Sequence, residues 1–442
     1  PLRALMADEV HNLRVESMDE RLAGRATLGK RRVLRIPGAL SGELVRLRVE
    51  RRGRGGRPDL AKLEQIWEAH AERRAPFCPR HADRTIGAGC TGCSLQHATW
   101  ALPREMKRTW LKQVFGLEVA EVEAGDAETG YRFVSKRVVA GSEGALILGS
   151  YVRGTHTVAS MSGCEVEHPL IRACADELVE VGNELRIRPW DEASSSGDLR
   201  FVWMKTNGRE VLTTLVTGPE GSDIARSLSE RLSRSQSVAW SVQGSEGNQM
   251  RGGSCEVLQG TGTLSVSVGD HEVAYGPLGF MQPNPEVAGR AMDALVEGED
   301  GEPAEGGLAW DLYAGGGATT RRLRRCFERV EACDVQVETP SSDMVEQVEV
   351  EEFLANRAAG PTPELLLSNP PRVGMGASVC AQIRSQGPAS VHIMSCNPKS
   401  LRRDLDALLD GDLYELRSVR AFDTLPHTEH VELVVRLARV GS

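Results

Sequence analysis

Residues 308–317 read Leu308-Ala309-Trp310-Asp311-Leu312-Tyr313-Ala314-Gly315-Gly316-Gly317, an apolar run that breaks into glycines. The run fits a buried β-strand, and the segment Thr319–Phe327 that follows reads as a helix. Glycines at such a turn let backbone N–H groups approach a ligand closely at a helix N-terminus. A plain strand-to-helix turn explains them equally well, but Val330-Glu331-Ala332-Cys333-Asp334 then puts an acid near the end of the next strand, where ribose hydroxyls are gripped. Strand, glycine turn, helix and strand in succession are the grammar of a doubly wound α/β domain.

Three further stretches repeat the design of an apolar strand with chemistry at its mouth. Leu365–Ser368 runs into Asn369-Pro370-Pro371-Arg372, whose prolines hold the backbone extended and aim Asn369 at the strand's carboxyl end. Val391–Ser395 runs into Cys396-Asn397-Pro398; a lone cysteine after a strand is usually a small buried hydrophobe, so this one counts only in company. The polar segment Pro426-His427-Thr428-Glu429-His430-Val431-Glu432 leads into a strand over Leu433–Leu437.

Working outward, residues 10–66 read as five short strands, suggesting a small β-barrel of the oligonucleotide-binding type. The turn Arg51-Arg52-Gly53-Arg54-Gly55-Gly56-Arg57 puts several cations on one loop, or is simply a solvated hairpin tip. The net charge of the 442-residue chain is -9, yet Arg21–Arg80 carries 16 basic against 6 acidic residues, leaving about -19 for the rest. A basic arm on an acidic body suits phosphate binding, which the total conceals. No apolar run approaches the ~20 residues of a bilayer span, and no apolar signal segment opens the chain. A cytoplasmic protein that touches no membrane is therefore expected. Its ten cysteines should stay reduced there. Three of them follow the spacing C-x11-C-x2-C (Cys78, Cys90, Cys93), with Ser94-Leu95-Gln96-His97 after them and Cys164 at 71 positions beyond.

These stretches resemble the bacterial uracil-C5 RNA methyltransferases. That pattern runs aspartate-leucine-aromatic-x-glycine-x-glycine, x-proline-proline-arginine, serine-cysteine-asparagine-proline and histidine-valine-glutamate. Here it stands in order as Asp311–Gly317, Asn369–Arg372, Ser395–Pro398 and His430–Glu432, with Phe280–Asn284 and Arg403-Asp404 matching too. The resemblance implies S-adenosylmethionine-dependent methylation of uracil C5 in RNA to give 5-methyluridine, with Cys396 as nucleophile and Glu432 as base. It also implies cofactor contacts at Gln282, Asp311, Tyr313, Gly315, Gly317, Asp334 and Asn369. The chemistry needs such groups: C5 is a poor nucleophile until a thiolate adds to C6, and a base must then take the C5 proton.

One branch of the family carries a four-iron, four-sulfur cluster on a comparable cysteine set, here Cys78, Cys90, Cys93 and Cys164, although the first gap is longer than usual. Four thiolates hold zinc as readily, so a structural zinc site is the alternative. The same branch carries an N-terminal TRAM barrel and tilts the substrate towards ribosomal over transfer RNA. The expected organisation is a TRAM, OB-like barrel over 1–68, an iron–sulfur and central α+β domain over 69–275, and a Rossmann-like methyltransferase domain over 276–442, in a monomer. The helix near 101–115 is expected to pack on the last domain. Two departures stand out. Asn369 replaces the family's aspartate, though its amide still matches uracil N3–H and O4. The stretch from Asp334 to Asn369 holds a strand-like Val345–Phe353 and little room for the usual helix. That shortening favours a competing reading, a catalytically weak RNA-binding paralogue with impaired donor binding.

Overall fold

The apolar runs that end in the four motifs become neighbours in one eight-stranded sheet. Its order is Glu346–Gln347, Phe327–Asp334, Gly306–Leu312, Leu365–Ser368, Ser390–Ser395, Glu432–Arg439, Tyr414–Phe422 and Val122–Glu123. The first five strands run parallel, and such strands need cover on both faces. Leu365–Ser368 is accordingly buried at every position. From Gly306–Leu312 the chain steps outward to Phe327–Asp334, and Leu365–Ser368 then falls on the other side of the first strand. That reversal opens a crevice at the carboxyl ends of the two central strands. The Asn369 N–H donates to the Leu312 carbonyl at 3.2 Å right at this edge. Glu432–Arg439 returns antiparallel, with Leu433 opposite Ser395, so Glu432 begins its strand where Cys396 leaves its own.

The computed structural model describes residues 9–84, 89–245, 247, 249–298, 301–336 and 344–441. Parts of the expected 1–68 unit and of the stretch between Asp334 and Asn369 lie outside them. Within that last stretch the expectation of a strand over Val345–Phe353 is corrected. Only Glu346–Gln347 is extended, and a helix follows at Val350–Asn356. Val350, Phe353 and Leu354 share one helical face and are buried, while Glu351 and Glu352 favour the first turn. Phe353 meets Trp310 edge-on with centroids 5.8 Å apart. Burying each such side chain contributes about 1.5–3 kcal/mol. The expected helix Thr319–Phe327 is also shorter, Ala318–Leu323, because Phe327 opens the next strand opposite Gly306 and is buried there.

A helix at Leu102–Phe115 covers the same core through Trp110 and Leu111, and Val122–Glu123 behind it joins the sheet's edge. Its Lys107 makes a fully buried ion pair with Asp423 at 2.7 Å, tying the helix to the segment that leads to Glu432. A second, seven-stranded sheet has the order Val158–Ser160, Ala145–Tyr151, Val134–Ser142, Leu199–Thr206, Val211–Thr217, Ser237–Val242, Cys255–Gln259, and it packs helices Pro169–Glu184 and Ser222–Arg231. The hairpin Leu264–Val268/His271–Tyr275 leads through Gln282 into helix Pro285–Val296, capped by Asn284. The N-terminal strands form a six-stranded sheet in the order Val10–Arg14, Leu44–Arg51, Asp59–Glu68, Arg32–Ile36, Gly24–Leu28, Ser17–Met18 around Leu34, Ile36, Val45 and Leu47. Arg51, Arg52, Arg54 and Arg57 are exposed around the turn between its two longest strands. Among the described residues no helix is long and apolar enough to cross a membrane.

Candidate active site

Local sequence explains how Cys396 comes to the sheet's mouth. The strand ends at Ser395, the Asn397 side chain accepts the Lys399 N–H at 3.2 Å, and Pro398 opens helix Pro398–Leu409 with a φ already suited to it. Cys396 is thus the hinge between strand and helix, half-buried at the crevice. The same helix straps the Pro370–Gly376 loop. Asn397 Nδ2 and Ser400 Oγ donate to the Arg372 carbonyl at 2.7 and 3.0 Å, and Asp404 accepts the Met375 N–H at 2.7 Å. At Gly374 (φ 80°) a Cβ would stand 2.3 Å from the Asp404 carboxylate, so this turn requires glycine.

Held this way, the Arg372 guanidinium stands close enough to the Cys396 sulfur and the Glu432 carboxylate to favour the charged form of each. Glu432 is almost wholly buried, which pushes its pKa up to about 8; Arg372 and a hydrogen bond from Gln282 oppose the rise. The Cys396 thiol is raised by burial and by the Glu432 carboxylate, with Arg372 pulling it back. The arrangement is therefore a half-buried thiol and a buried carboxyl with a pKa of about 8, sharing one cation. Chemically it can add a thiolate to an electron-poor ring and then take a proton from it.

Across the crevice, the Gly315 N–H donates to Asp334 Oδ2 at 2.9 Å, closing the glycine turn against the neighbouring strand end. Gly317 (φ 73°) starts helix Ala318–Leu323, and Tyr313 has a positive φ of 59°. Asp311 lies beneath the turn, 1% exposed, accepting the Thr319 and Thr320 hydroxyls at 2.7 and 2.6 Å. Its carboxylate therefore anchors the helix start. Asn369 is half-buried at the crevice rim. Gln282, expected as a donor contact, hydrogen-bonds the Glu432 carboxylate, which its sequence position beside Pro283-Asn284 did not signal. Arg372 carried a signal, as the cation after a strand and two prolines, but its aim at both Cys396 and Glu432 depends on straps from residues 397 and 400.

Cys78, Cys90, Cys93 and Cys164 are free and half-buried. Burial and the neighbouring thiols Cys164, Cys90 and Cys78 push Cys93 well up, while burial first and Glu167 second take Cys164 to about 12. Backbone N–H groups aim at these sulfurs: Arg80 and His81 at Cys78, and Gly92 at Cys90 (3.4 Å). Among the described residues no three Cys, His, Asp or Glu side chains are gathered as tightly as a single ion needs. A cavity of about 460 Å³ lies at the opposite, amino edge of the same sheet beside Phe327, Leu365 and Ser390, and touches none of the four motifs.

The fold and site define an α/β methyltransferase. The family model for tRNA (Uracil-5-)-methyltransferases matches residues 362–440, which hold the Asn369, Cys396 and Glu432 motifs. An uncharacterized RNA methyltransferase of Synechocystis sp. is 27% identical over 437 residues, 93% of this chain and 92% of that protein. Another, from Halalkalibacterium halodurans, is 26% identical over 91% of each chain. Among solved structures, the Pyrococcus abyssi tRNA (uracil-54, C5)-methyltransferase in complex with S-adenosyl-L-homocysteine shares the fold, with a TM-score of 0.72, 21% identity, and coverage of 97% and 99% of the two chains. Residues 362–440 thus match the model of that family, and over nearly its whole length the chain is similar to RNA methyltransferases.

Proposed function

We propose that the protein methylates uracil C5 in RNA with S-adenosylmethionine, through a covalent adduct between Cys396 and uracil C6. One observation carries the reading: Cys396, Arg372 and the buried Glu432 converge at the carboxyl edge of the sheet. The Cys396 thiolate adds to C6, and the C5=C6 electron pair moves into an enolate. C5 then takes the methyl group from the sulfonium, whose S–CH3 bond breaks to leave a neutral thioether. Glu432 removes the C5 proton, the C6–S bond breaks, and the C5=C6 bond returns with the thiolate released. A pKa near the working pH suits Glu432 as the base. Gly315, Gly317 and Tyr313 would line the methyl donor, with Asp334 at its ribose and Asn369 reading the uracil edge. Helix Val350–Asn356 supplies an element whose apparent lack favoured a weak paralogue, so we take the active reading.

The test is Glu432→Gln. Methyl transfer should still occur but release should not, leaving a protein–RNA band that survives denaturation and carries methyl label. No such band would remove Glu432 from the base role.

For the substrate we place ribosomal RNA first, because of the four cysteines and the basic N-terminal sheet, although the family model and the Pyrococcus protein are named for tRNA. Methyl incorporation into bulk ribosomal and transfer RNA decides between them. We assign a [4Fe–4S] cluster to Cys78, Cys90, Cys93 and Cys164. The thiols Cys164, Cys90 and Cys78 all act on Cys93, which supports a shared site, and the spacing of the set resembles that of the cluster-bearing branch. N–H groups aimed at the sulfurs suit either. Brown, iron-containing protein after anaerobic purification is expected; colourless protein with about one zinc per chain would reverse the assignment.

A further inference from the structure

Glu432 is the first residue of its strand, and the loop before it, residues 423–431, has no regular secondary structure. A base on such a loop needs outside support to keep one depth of burial. The contacts that supply it come from far away in the chain. The Leu95 N–H donates to the His427 carbonyl at 2.8 Å, and Ser94 Oγ donates to the Glu429 carboxylate at 2.9 Å. Arg153, from the loop after Ala145–Tyr151, pairs with the other Glu429 oxygen, and the Tyr131 hydroxyl donates to the Pro426 carbonyl at 3.0 Å. The His427 ring lies between Phe77 and Trp100, with centroids 5.4 and 5.6 Å away. His427 also holds a φ of 65°, a left-handed conformation costing a non-glycine residue about 1–2 kcal/mol. Such strain persists only where the surroundings over-determine it.

We propose that Ser94 and Glu429 are positioning residues for the base: the segment carrying Cys78, Cys90 and Cys93 clamps the loop that ends at Glu432, and the Ser94–Glu429 hydrogen bond sets its depth. The proposal rests on the reading of Glu432 as base. Ser94 directly follows Cys93, so the cysteine site fixes the donor end of the clamp. The acceptor end is three residues from Glu432, a distance over which a small backbone shift moves the carboxylate against Arg372 and Gln282.

The experiment compares Ser94→Ala, Ser94→Thr and Glu432→Gln in the full chain. For Ser94→Ala, kcat should fall by roughly 10- to 100-fold, the range set by a misplacement of about 1 Å, while KM for RNA stays within about 2-fold. Methylated covalent adduct should accumulate during turnover, because proton removal becomes the slow step. Water reaching Glu432 should move the acidic limb of the pH–rate profile down from about 8. Ser94→Thr keeps the hydroxyl and should restore all three. An unchanged kcat, adduct fraction and pH limb in Ser94→Ala would overturn the clamp. So would equal losses in both Ser94 variants accompanied by a lower Tm and weaker RNA binding, which would mark a folding role only. If Glu432→Gln traps no methylated adduct, the base reading itself fails, and the clamp with it.

Discussion

The two banks of the crevice are held by different means. On the nucleophile bank, side chains strap backbone: Asn397 and Ser400 hold the Arg372 carbonyl, and Asp404 holds the Met375 N–H. On the donor bank, backbone meets carboxylate at Gly315–Asp334, above a helix of only six residues, and Asp311 is sealed underneath. The first bank fixes reacting atoms against one another. The second, on the proposed reading, would offer N–H groups and an acid to a ligand that brings its own rigidity. Substitutions on the nucleophile bank should therefore act on kcat, and those on the donor bank on donor affinity.

The largest effect tests the first bank. Cys396→Ala should lower methyl incorporation on the order of 10^4-fold or more while gel shifts show RNA binding intact, because the thiol acts only after docking. Retained turnover would end the nucleophile assignment. A smaller effect is expected at the remote N-terminal turn. If Arg51, Arg52, Arg54 and Arg57 each neutralise a phosphate, replacing all four with Ala should flatten the salt dependence of RNA binding by up to ~3 units of log–log slope. The modified site should not change, since phosphate contacts position rather than specify. An unchanged slope would leave the turn as a solvated hairpin tip.

Much of this contrast was legible in the chain because each motif sits where an apolar run stops. A strand that ends in Pro370-Pro371 or Asn397-Pro398 announces both its boundary and its direction. The donor bank was less legible. The four arginines at 321–325 continue a helical pattern with nothing to mark its end, so the pattern runs on to Phe327, which belongs to the next strand. The β-branched Val345, Val348 and Val350 suggested a strand, whereas the Val350/Phe353/Leu354 spacing was the better guide. The loop before Glu432 was invisible in a different sense. Its partners Ser94 and Leu95 are more than 300 residues away, and no local pattern encodes such a contact.

The pH dependence sharpens the comparison at the shared cation. As the proposed base, Glu432 would work deprotonated, so turnover should rise with pH through about 8 and then level off. Arg372 lowers both Glu432 and Cys396, so Arg372→Gln should move that limb to higher pH. A limb that stays in place would mean the guanidinium serves RNA alone. Stability should run the other way. A carboxyl whose folded pKa lies above its unfolded one makes the folded state bind more protons, so stability falls as pH climbs from about 4.5 to about 8. Glu432→Gln should flatten that slope in unfolding measurements.

The smallest effects separate the two acids of the donor bank. Burial raises Asp311 to about 6 against the opposing hydrogen bonds of Thr320 and Thr319. Its folded pKa exceeds the ordinary 3.8, so the protein should lose stability as pH rises from about 4 to about 6 and change little on this account above that. Asp311→Asn keeps an amide oxygen beneath the threonines and should remove that slope while leaving donor affinity within about 3-fold, because the side chain faces the helix start. Asp311→Ala leaves two buried hydroxyls without their acceptor, a loss of about 1–3 kcal/mol in unfolding free energy. Asp334→Ala should do the reverse. Its carboxylate is half-buried at the strand end, so calorimetric titration with S-adenosylmethionine should show affinity down by roughly 10-fold, as for a lost charge-assisted hydrogen bond, with stability little altered. If Asp311→Asn weakens the donor as much as Asp334→Ala does, the sealed acid reaches the ligand through the turn above it, and the two banks are alike in being set from beneath.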